Sequence, residues 1–168
     1  MPIVNNVTRL LDSKKVPYTA FELPAEKRGA DETARLLGVD PMLVYKTIVV
    51  TRERGKPILA VIPGPHRVDL KLMAAALGEK KLSLPTEREA EQLTGLQAGG
   101  ISPLALVNRG FQVVIASEAE TRLEASSRGE DREIHVSGGQ RGLNIRLPVK
   151  SLVELTRARF AVISVADG

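Results

Sequence analysis

Hydrophobic residues occur along the chain in two spacings, short continuous or alternating runs and positions three or four residues apart. Short runs bounded by glycine, proline or polar residues predict strands, and the wider spacing behind a polar cap predicts helices. The predicted strands are 18–23, 44–50, 57–63, 81–84, 111–117, 133–139, 144–148 and 159–165. The predicted helices are 6–15, 31–37, 69–77, 86–93 and 149–156, with a short helix and surface loop in 117–132. Because helices do not alternate strictly with strands, we expect an α+β fold with a mixed, strongly curved sheet.

Length and composition narrow the class of protein. The 168 residues fit a single domain, 1–168. Aromatic residues are only 3% of the chain, so the core is expected to be aliphatic, without an aromatic platform for stacking bases. The absence of cysteine excludes a disulfide scaffold, a thiolate metal site and a cysteine nucleophile.

The overall charge and the N-terminus bear on partners and location. The net charge of +4 permits a polyanionic partner but does not require one. No apolar run approaches the roughly 20 residues that span a bilayer, and the N-terminus lacks the pattern of a signal peptide. We therefore expect a cytoplasmic protein with no membrane partner.

The segment VYKTIVV, residues 44–50, places Lys46 inside an otherwise apolar strand. Alternation puts Val44, Lys46, Ile48 and Val50 on one face, and both faces are apolar. A fully buried, unpaired ammonium would cost several kcal/mol or lose its proton. Lys46 therefore either extends to water from near a strand end or is delivered into a pocket to meet an anion. The pattern alone leaves both possibilities open.

Two glycine-rich loops are further candidates for a site. The amides of GGISP, residues 99–103, could bind an anion or an oxyanion, although such loops are usually ordinary turns. SGGQRG, residues 137–142, joins two strand-like segments and is either a hairpin connection or a second backbone wall, with Arg141 supplying charge. It lacks P-loop spacing and does not open a helix.

Familiar catalytic sets are missing. The two histidines, His66 and His135, lie in a proline-rich turn and within a strand, which does not indicate a metal site. There is no G-x-S-x-G elbow and no convincing acid–base pair. We expect neither metal nor cofactor, and an enzyme that relies on positioning and electrostatics.

Taken together and in order, VYKTIVV, VDLKLMAAALGEKKLSL, TGLQAGGISPL and HVSGGQRGLNIRL resemble the YbaK/EbsC family. These are trans-acting aminoacyl-tRNA deacylases related to the editing domain of bacterial prolyl-tRNA synthetases. The resemblance runs from about Asn5 to Val165. It implies a mixed sheet closed into a barrel-like shape surrounded by helices.

The resemblance also implies roles for particular residues. Lys46 takes the position of the family lysine, flanked by Tyr45 and Thr47. The family GxxxP loop supplies the other catalytic candidates, Gly99, Gly100, Ile101, Ser102 and Pro103. The SGG-RG turn supplies substrate-binding candidates, Ser137, Gly138, Gly139, Arg141 and Gly142. Tyr18 and Phe21, with Ile101, are candidates for setting the size of the pocket.

The implied activity is hydrolysis of the ester of mischarged tRNA by substrate-assisted catalysis, with Cys-tRNA(Pro) or another small amino acid on tRNA(Pro) as substrate. Prolyl-tRNA synthetase is a possible partner. The alternatives are a non-catalytic module that binds acyl-adenosine or tRNA, and a pocket for a small acyl ester unrelated to tRNA. Two departures from the family pattern bear on the substrate: 105–108 lacks the usual glycine and basic run, and Asn144 stands where an acidic residue is common.

Overall fold

The computed structural model describes residues 2–125 and 133–167, without the side chains of 122–125. Ten strands and six α-helices lie within these ranges, together with two short 3-10 turns. The helices are α1 Asn6–Ser13, α2 Ala30–Leu37, α3 Leu70–Leu77, α4 Glu87–Thr94, α5 Ser117–Ala125 and α6 Val149–Thr156. The strands are β1 Thr19–Glu22, β2 Tyr45–Arg52, β3 Ile58–Pro63, β4 His66–Val68, β5 Leu82–Ser83, β6 Gln112–Ala116, β7 Glu133–Ser137, β8 Leu143–Pro148, β9 Arg159–Ala161 and β10 Ser164–Ala166.

The largest sheet is mixed, as the sequence predicted. It has the order β5-β2-β3-β6-β9, in which β2 pairs antiparallel with β3 and β5 while β3–β6 and β6–β9 are parallel. A second, antiparallel sheet has the order β1-β8-β7, and β10 pairs with β4. The mixed α+β fold is therefore confirmed.

The closed, barrel-like sheet is not confirmed, because the described strands form three separate sheets. The first two approach each other where β2 begins. There a single bridge joins Val44 to His135, so the strands meet at one point and do not form a continuous ladder. This junction places the start of β2 beside the β7–β8 hairpin.

The core lies on both faces of the five-stranded sheet. Along β2, Tyr45 and Val49 belong to a larger apolar cluster, whereas Val50 belongs to a smaller one, with Ile48 packed against it. All six residues of β3 are buried, as expected for a strand covered on both sides. The predicted alternation of VYKTIVV between two apolar environments is thus confirmed.

Local signals place several element ends correctly. The Asn5 side chain accepts a hydrogen bond from the Thr8 amide at the start of α1. Thr86 and Glu89 form the predicted capping box of α4. Gly38 follows α2 with φ of +68°, a left-handed conformation that favours glycine. These ends depend on neighbours in sequence, which is why they could be predicted.

Two predictions near the C-terminal strands were wrong. The turn expected around His66 is confined to Gly64 and Pro65, and His66 itself begins strand β4. The strand expected over 159–165 is divided into β9 and β10. The reason is tertiary: β9 extends the large sheet beside β6, while β10 pairs with β4. The surface loop expected after α5 lies outside the described residues. Of the helices in the described ranges, none is long and apolar enough to cross a membrane.

Candidate functional site

A cavity of about 390 Å³ opens beside the first half of β2. Its walls come from β2, the loop that precedes α2, α2 itself, α4 and both glycine-rich loops. The lining is mainly apolar, and its charged members are Glu26, Arg28, Lys46 and Glu87. The other lining residues are Leu23, Gly29, Ala30, Thr33, Val44, Tyr45, Thr47, Ile48, Val49, Leu84, Pro85, Ala90, Ala98, Gly99, Ile101, Ser137, Gly142, Leu143 and Asn144. A cavity of this size suits a small organic ligand.

Lys46 lies at the boundary between this cavity and a second one of about 350 Å³. It is the second residue of β2 and is half-buried. Among the side chains that the structure describes, none forms a hydrogen bond or ion pair with its ammonium group. The strand therefore presents a cation at two adjoining cavities, where an anionic group of a bound ligand could pair with it. The second cavity is otherwise lined by Gly29, Ala30, Asp31, Gly64, Pro65 and Asp167.

Only residues from the first half of the loop 99–103 line the cavity. Gly99 and Ile101 line the cavity, and Gly99 has φ of +87°. The Gly100 amide already donates to the Gln97 carbonyl at 2.8 Å, so it is not available to a ligand. Ser102 is fully buried and its Oγ accepts from the Leu104 amide at 3.1 Å, while Pro103 is also buried. The second half of the loop thus anchors the first half to the core.

The turn 137–142 connects β7 to β8, and Ser137 and Gly142 line the cavity. Arg141 does not line it. Its Nε donates to the Ala98 carbonyl at 2.7 Å, which ties this turn to the other glycine-rich loop. An added Cβ at Gly100 would lie 2.9 Å from Gln140 Cα, so the two loops are in close contact. The two loops that sequence reasoning considered separately therefore form one wall.

Several predicted site residues lie off the cavity. Tyr18 packs against the larger core cluster and donates to Asp12 at 2.9 Å. The ring of Phe21 lies 5.6 Å from that of His135. Gly138 lies against Leu143, and Gly139 packs against Val7 and Ala105. Of the three pocket-size candidates, only Ile101 lines the cavity. The two neighbours of Lys46, Tyr45 and Thr47, also line it.

The segment 105–108, where the family's basic run is missing, continues a short turn that packs into the core. Leu104 and Leu106 are buried in the larger cluster, and Ala105 is packed against it. This segment therefore supports the wall of the cavity from behind and brings no positive charge to its surface.

Residues 25–144, more than two thirds of the chain, match the family model for the aminoacyl-tRNA editing domain. The chain belongs to this family. The matched residues include all of the cavity lining except Leu23. The cavity is therefore built from the part of the chain that defines the family.

Two curated relatives extend the match. EbsC of Enterococcus faecalis, a candidate Cys-tRNA(Pro)/Cys-tRNA(Cys) deacylase, is 32% identical over 96% of this chain and 94% of its own length. A proline–tRNA ligase of Thermodesulfovibrio yellowstonii is 28% identical over 56% of this chain but only 16% of its own length. This chain thus corresponds to a small part of that ligase and to nearly all of EbsC.

Solved structures support the fold of the editing domain. The crystal structure of hypothetical protein APE2540 has a TM-score of 0.81 and 26% identity, covering 96% of this chain and all of that one. A candidate trans-editing enzyme for prolyl-tRNA synthetase has a TM-score of 0.74 over 99% of this chain and all of its own, at 24% identity. The second likeness concerns the fold alone.

A buried polar pair in the editing domain was not predicted. His135 Nδ1 lies 2.7 Å from Asn144 Oδ1, and both residues are buried. Because an amide oxygen only accepts, this contact makes Nδ1 the protonated ring nitrogen. Burial lowers the pKa of His135, against the smaller, raising effect of the Asn144 hydrogen bond. Asn144 also lines the cavity, so this pair fixes one side chain of the wall.

Arg28 is the second residue that the sequence did not single out. Its side chain is only 8% exposed, and it lines the cavity. The nearest carboxylate, on Glu26, is 3.8 Å away and belongs to a side chain that is 76% exposed. In the sequence Arg28 is one of several charged residues in a loop, and only the fold shows that it faces inward.

Proposed function

We propose that this chain hydrolyses the ester of mischarged tRNA in trans, with cysteine or another small amino acid on tRNA(Pro) as substrate. Membership of the family makes it an aminoacyl-tRNA editing enzyme, a hydrolase of aminoacyl esters. The observation that carries the proposal is Lys46, a cation without a described partner at the wall of a cavity bounded by two glycine-rich loops.

The choice of tRNA(Pro) is supported by the relatives. EbsC matches over nearly the whole chain and its name refers to Cys-tRNA(Pro) and Cys-tRNA(Cys), and the ligase match is to a protein that charges proline tRNA. The mostly apolar lining suits a small side chain beside a nucleoside. Association with prolyl-tRNA synthetase stays a prediction.

The proposed mechanism uses positioning and charge. The histidines lie outside the lining of the cavity. Of the two carboxylates in that lining, Glu87 is bonded to Lys27 through both oxygens, at 2.6 and 2.7 Å, and the Glu26 side chain is 76% exposed to solvent. A water molecule held by a ribose hydroxyl, or the thiol of a mischarged cysteine, therefore attacks the ester carbon. The bond from that carbon to the ribose oxygen breaks, and the proton of the attacking group passes to the ribose oxygen. Attack by water releases the free amino acid directly, whereas attack by the thiol releases a thiolactone that water then opens.

Lys46 stabilises negative charge on the substrate, and backbone amides of the Gly99 loop face the ester oxygen. The Gly100 amide is already bonded within the loop, so Gly99 and Ile101 are the residues proposed to act. Such donors are effective because they are fixed before the reaction and need not reorganise.

The test is a panel of mischarged tRNAs, with Cys, Ala and Ser on proline tRNA first, in which released amino acid is measured. Lys46→Met is compared with wild type and with Lys71→Met, which removes an exposed lysine on α3. We expect Lys46→Met to lose about 10² to 10³ in rate and Lys71→Met to lose nothing.

Near-full activity of Lys46→Met on every tRNA that the wild type cleaves would exclude the proposed role of Lys46. If the folded wild type released no amino acid from any tRNA in the panel, the proposed deacylation would be overturned. Retained binding of the tRNA acceptor end in that case would favour the accessory binding module instead.

A further inference from the structure

Arg28 is a buried cation whose charge is balanced only weakly by the residues that the structure describes. Its side chain is more than nine-tenths buried, and it forms no hydrogen bond with any side chain or backbone group that the structure describes. The Glu26 carboxylate at 3.8 Å is beyond hydrogen-bonding distance, and its exposure allows water to screen it. No Arg28 nitrogen is among the fully enclosed unpaired atoms of the described residues, so its N–H groups can be reached by a ligand in the cavity.

The position of Arg28 indicates which part of a ligand would reach it. The next residue, Gly29, is exposed and lines both cavities, and an added Cβ there would meet nothing within 4 Å. Glu26, on the other side, extends into solvent. Lys27, the residue before Arg28, lies against the wall that the two glycine-rich loops form, since a Cβ added at Gly99 would be 3.6 Å from Lys27 Cα. Arg28 therefore lies in the chain between a residue packed on that wall and Gly29, which is open to solvent. A ligand bound with its reactive end at Gly99 and extending toward the open space beside Gly29 would pass Arg28.

We propose that Arg28 binds the phosphodiester on the 5′ side of the terminal adenosine of the substrate RNA. This inference rests on the proposed function and adds a specific contact to it. The planar guanidinium offers paired N–H donors that match phosphate oxygens, a geometry that an ammonium lacks. Arg28 thus holds the RNA backbone at the mouth, and Lys46 acts at the boundary between the two cavities.

The test measures binding without turnover, by titrating the full chain with adenosine 5′-monophosphate and with adenosine. We expect wild type to prefer the monophosphate by about tenfold to a hundredfold, as for loss of a charge-assisted hydrogen bond. Arg28→Gln should lose that preference while its affinity for adenosine is unchanged. Arg28→Lys should keep part of it. Arg35→Gln, which removes an arginine on α2 that is 70% exposed, serves as the matched control and should behave as wild type.

Each contrary result overturns the inference in a recognisable way. If wild type shows no preference, or Arg28→Gln keeps it, the phosphate is bound elsewhere. If Arg28→Gln weakens adenosine equally, Arg28 shapes the cavity instead of binding phosphate. A further arm uses non-hydrolysable 3′-aminoacylamino adenosines carrying aspartate or asparagine; an Arg28-dependent preference for aspartate would assign the guanidinium to an acyl carboxylate. Because these titrations need no catalysis, failure of deacylation and failure of the Arg28 assignment are separate outcomes.

Discussion

The two ends of β2 carry cations in opposite circumstances. Lys46 near its start and Arg52 at its end are both half-buried and occur on the same face of the strand. Arg52 Nε donates to the Lys56 carbonyl at 2.9 Å, and Nη1 reaches Gln112 at 3.1 Å and Glu79 at 3.3 Å. Lys46 has no such partner among the described side chains. A strand can thus carry one cation for structure and another for a ligand.

The sharpest test of this difference compares Lys46→Met with Arg52→Met. Lys46→Met should lose about 10² to 10³ in deacylation rate with the free energy of unfolding changed by no more than about 0.5 kcal/mol. Arg52→Met should leave the rate unchanged and lower the free energy of unfolding by about 1–3 kcal/mol, because it leaves several acceptors unpaired. Deacylation assays and urea denaturation measure the two effects. Equal effects of both variants on stability would remove the distinction.

The contrast extends to two glycines, Gly100 in the loop behind the cavity lining and Gly29 in the lining itself. Gly100→Ala should destabilise by about 1–3 kcal/mol, because its Cβ would lie 2.9 Å from backbone atoms of Gln140. Gly29→Ala should be tolerated, since its Cβ would meet nothing within 4 Å. Thermal denaturation of both variants checks this. If Gly29→Ala were destabilised and Gly100→Ala were not, the assignment of Gly100 to a closely packed region and of Gly29 to an open one would be contradicted.

His135 makes the stability of the protein depend on pH. It is buried in the core, and its ring is bonded to Asn144, a residue of the cavity wall. Burial lowers its pKa in the folded state below the ordinary 6.5. The unfolded chain then binds the proton more tightly, so the contribution of His135 to stability is complete above about pH 6.5 and is lost as the pH falls through its folded pKa.

Asn144→Asp should shift this pH dependence, since a carboxylate beside His135 raises its pKa. NMR titration of the His135 ring in both proteins gives the pKa values, and denaturation at several pH values gives the stability. His135→Gln is the control, which should lack the His135 contribution to the slope. A His135 pKa above 6.5 in wild type would contradict the role of burial.

The smallest expected effect concerns Lys27, next to Arg28. Lys27 and Glu87 form a short ion pair, but both side chains are more than half exposed. Lys27→Met should therefore change the free energy of unfolding by only about 0.2–1 kcal/mol. A larger loss, measured by urea denaturation, would mean that this pair holds the Arg28 loop in place.

Prediction from sequence worked best where the cause is local. The caps at Asn5 and Thr86 and the strand alternation around Lys46 depend on residues a few positions apart. It failed for 159–165, because the division into two strands depends on pairing with β6 and β4, which are distant in the chain. The resemblance led to Lys46, Gly99 and Gly142, all of which line the cavity, but also to Gly138 and Gly139, which pack against core side chains.

The sequence by itself determined the mixed α+β composition, the two-faced burial of β2 and the family motifs. The tertiary structure decided which polar groups are paired. The sequence predicted Lys46 inside a strand and Arg52 beyond its end, and the fold includes both in β2, where distant residues supply partners to Arg52 and a cavity to Lys46. Pairing depends on which remote segments meet in space, whereas alternation and capping depend on geometry within a few residues. For the same reason Arg28 became a candidate only in the folded chain.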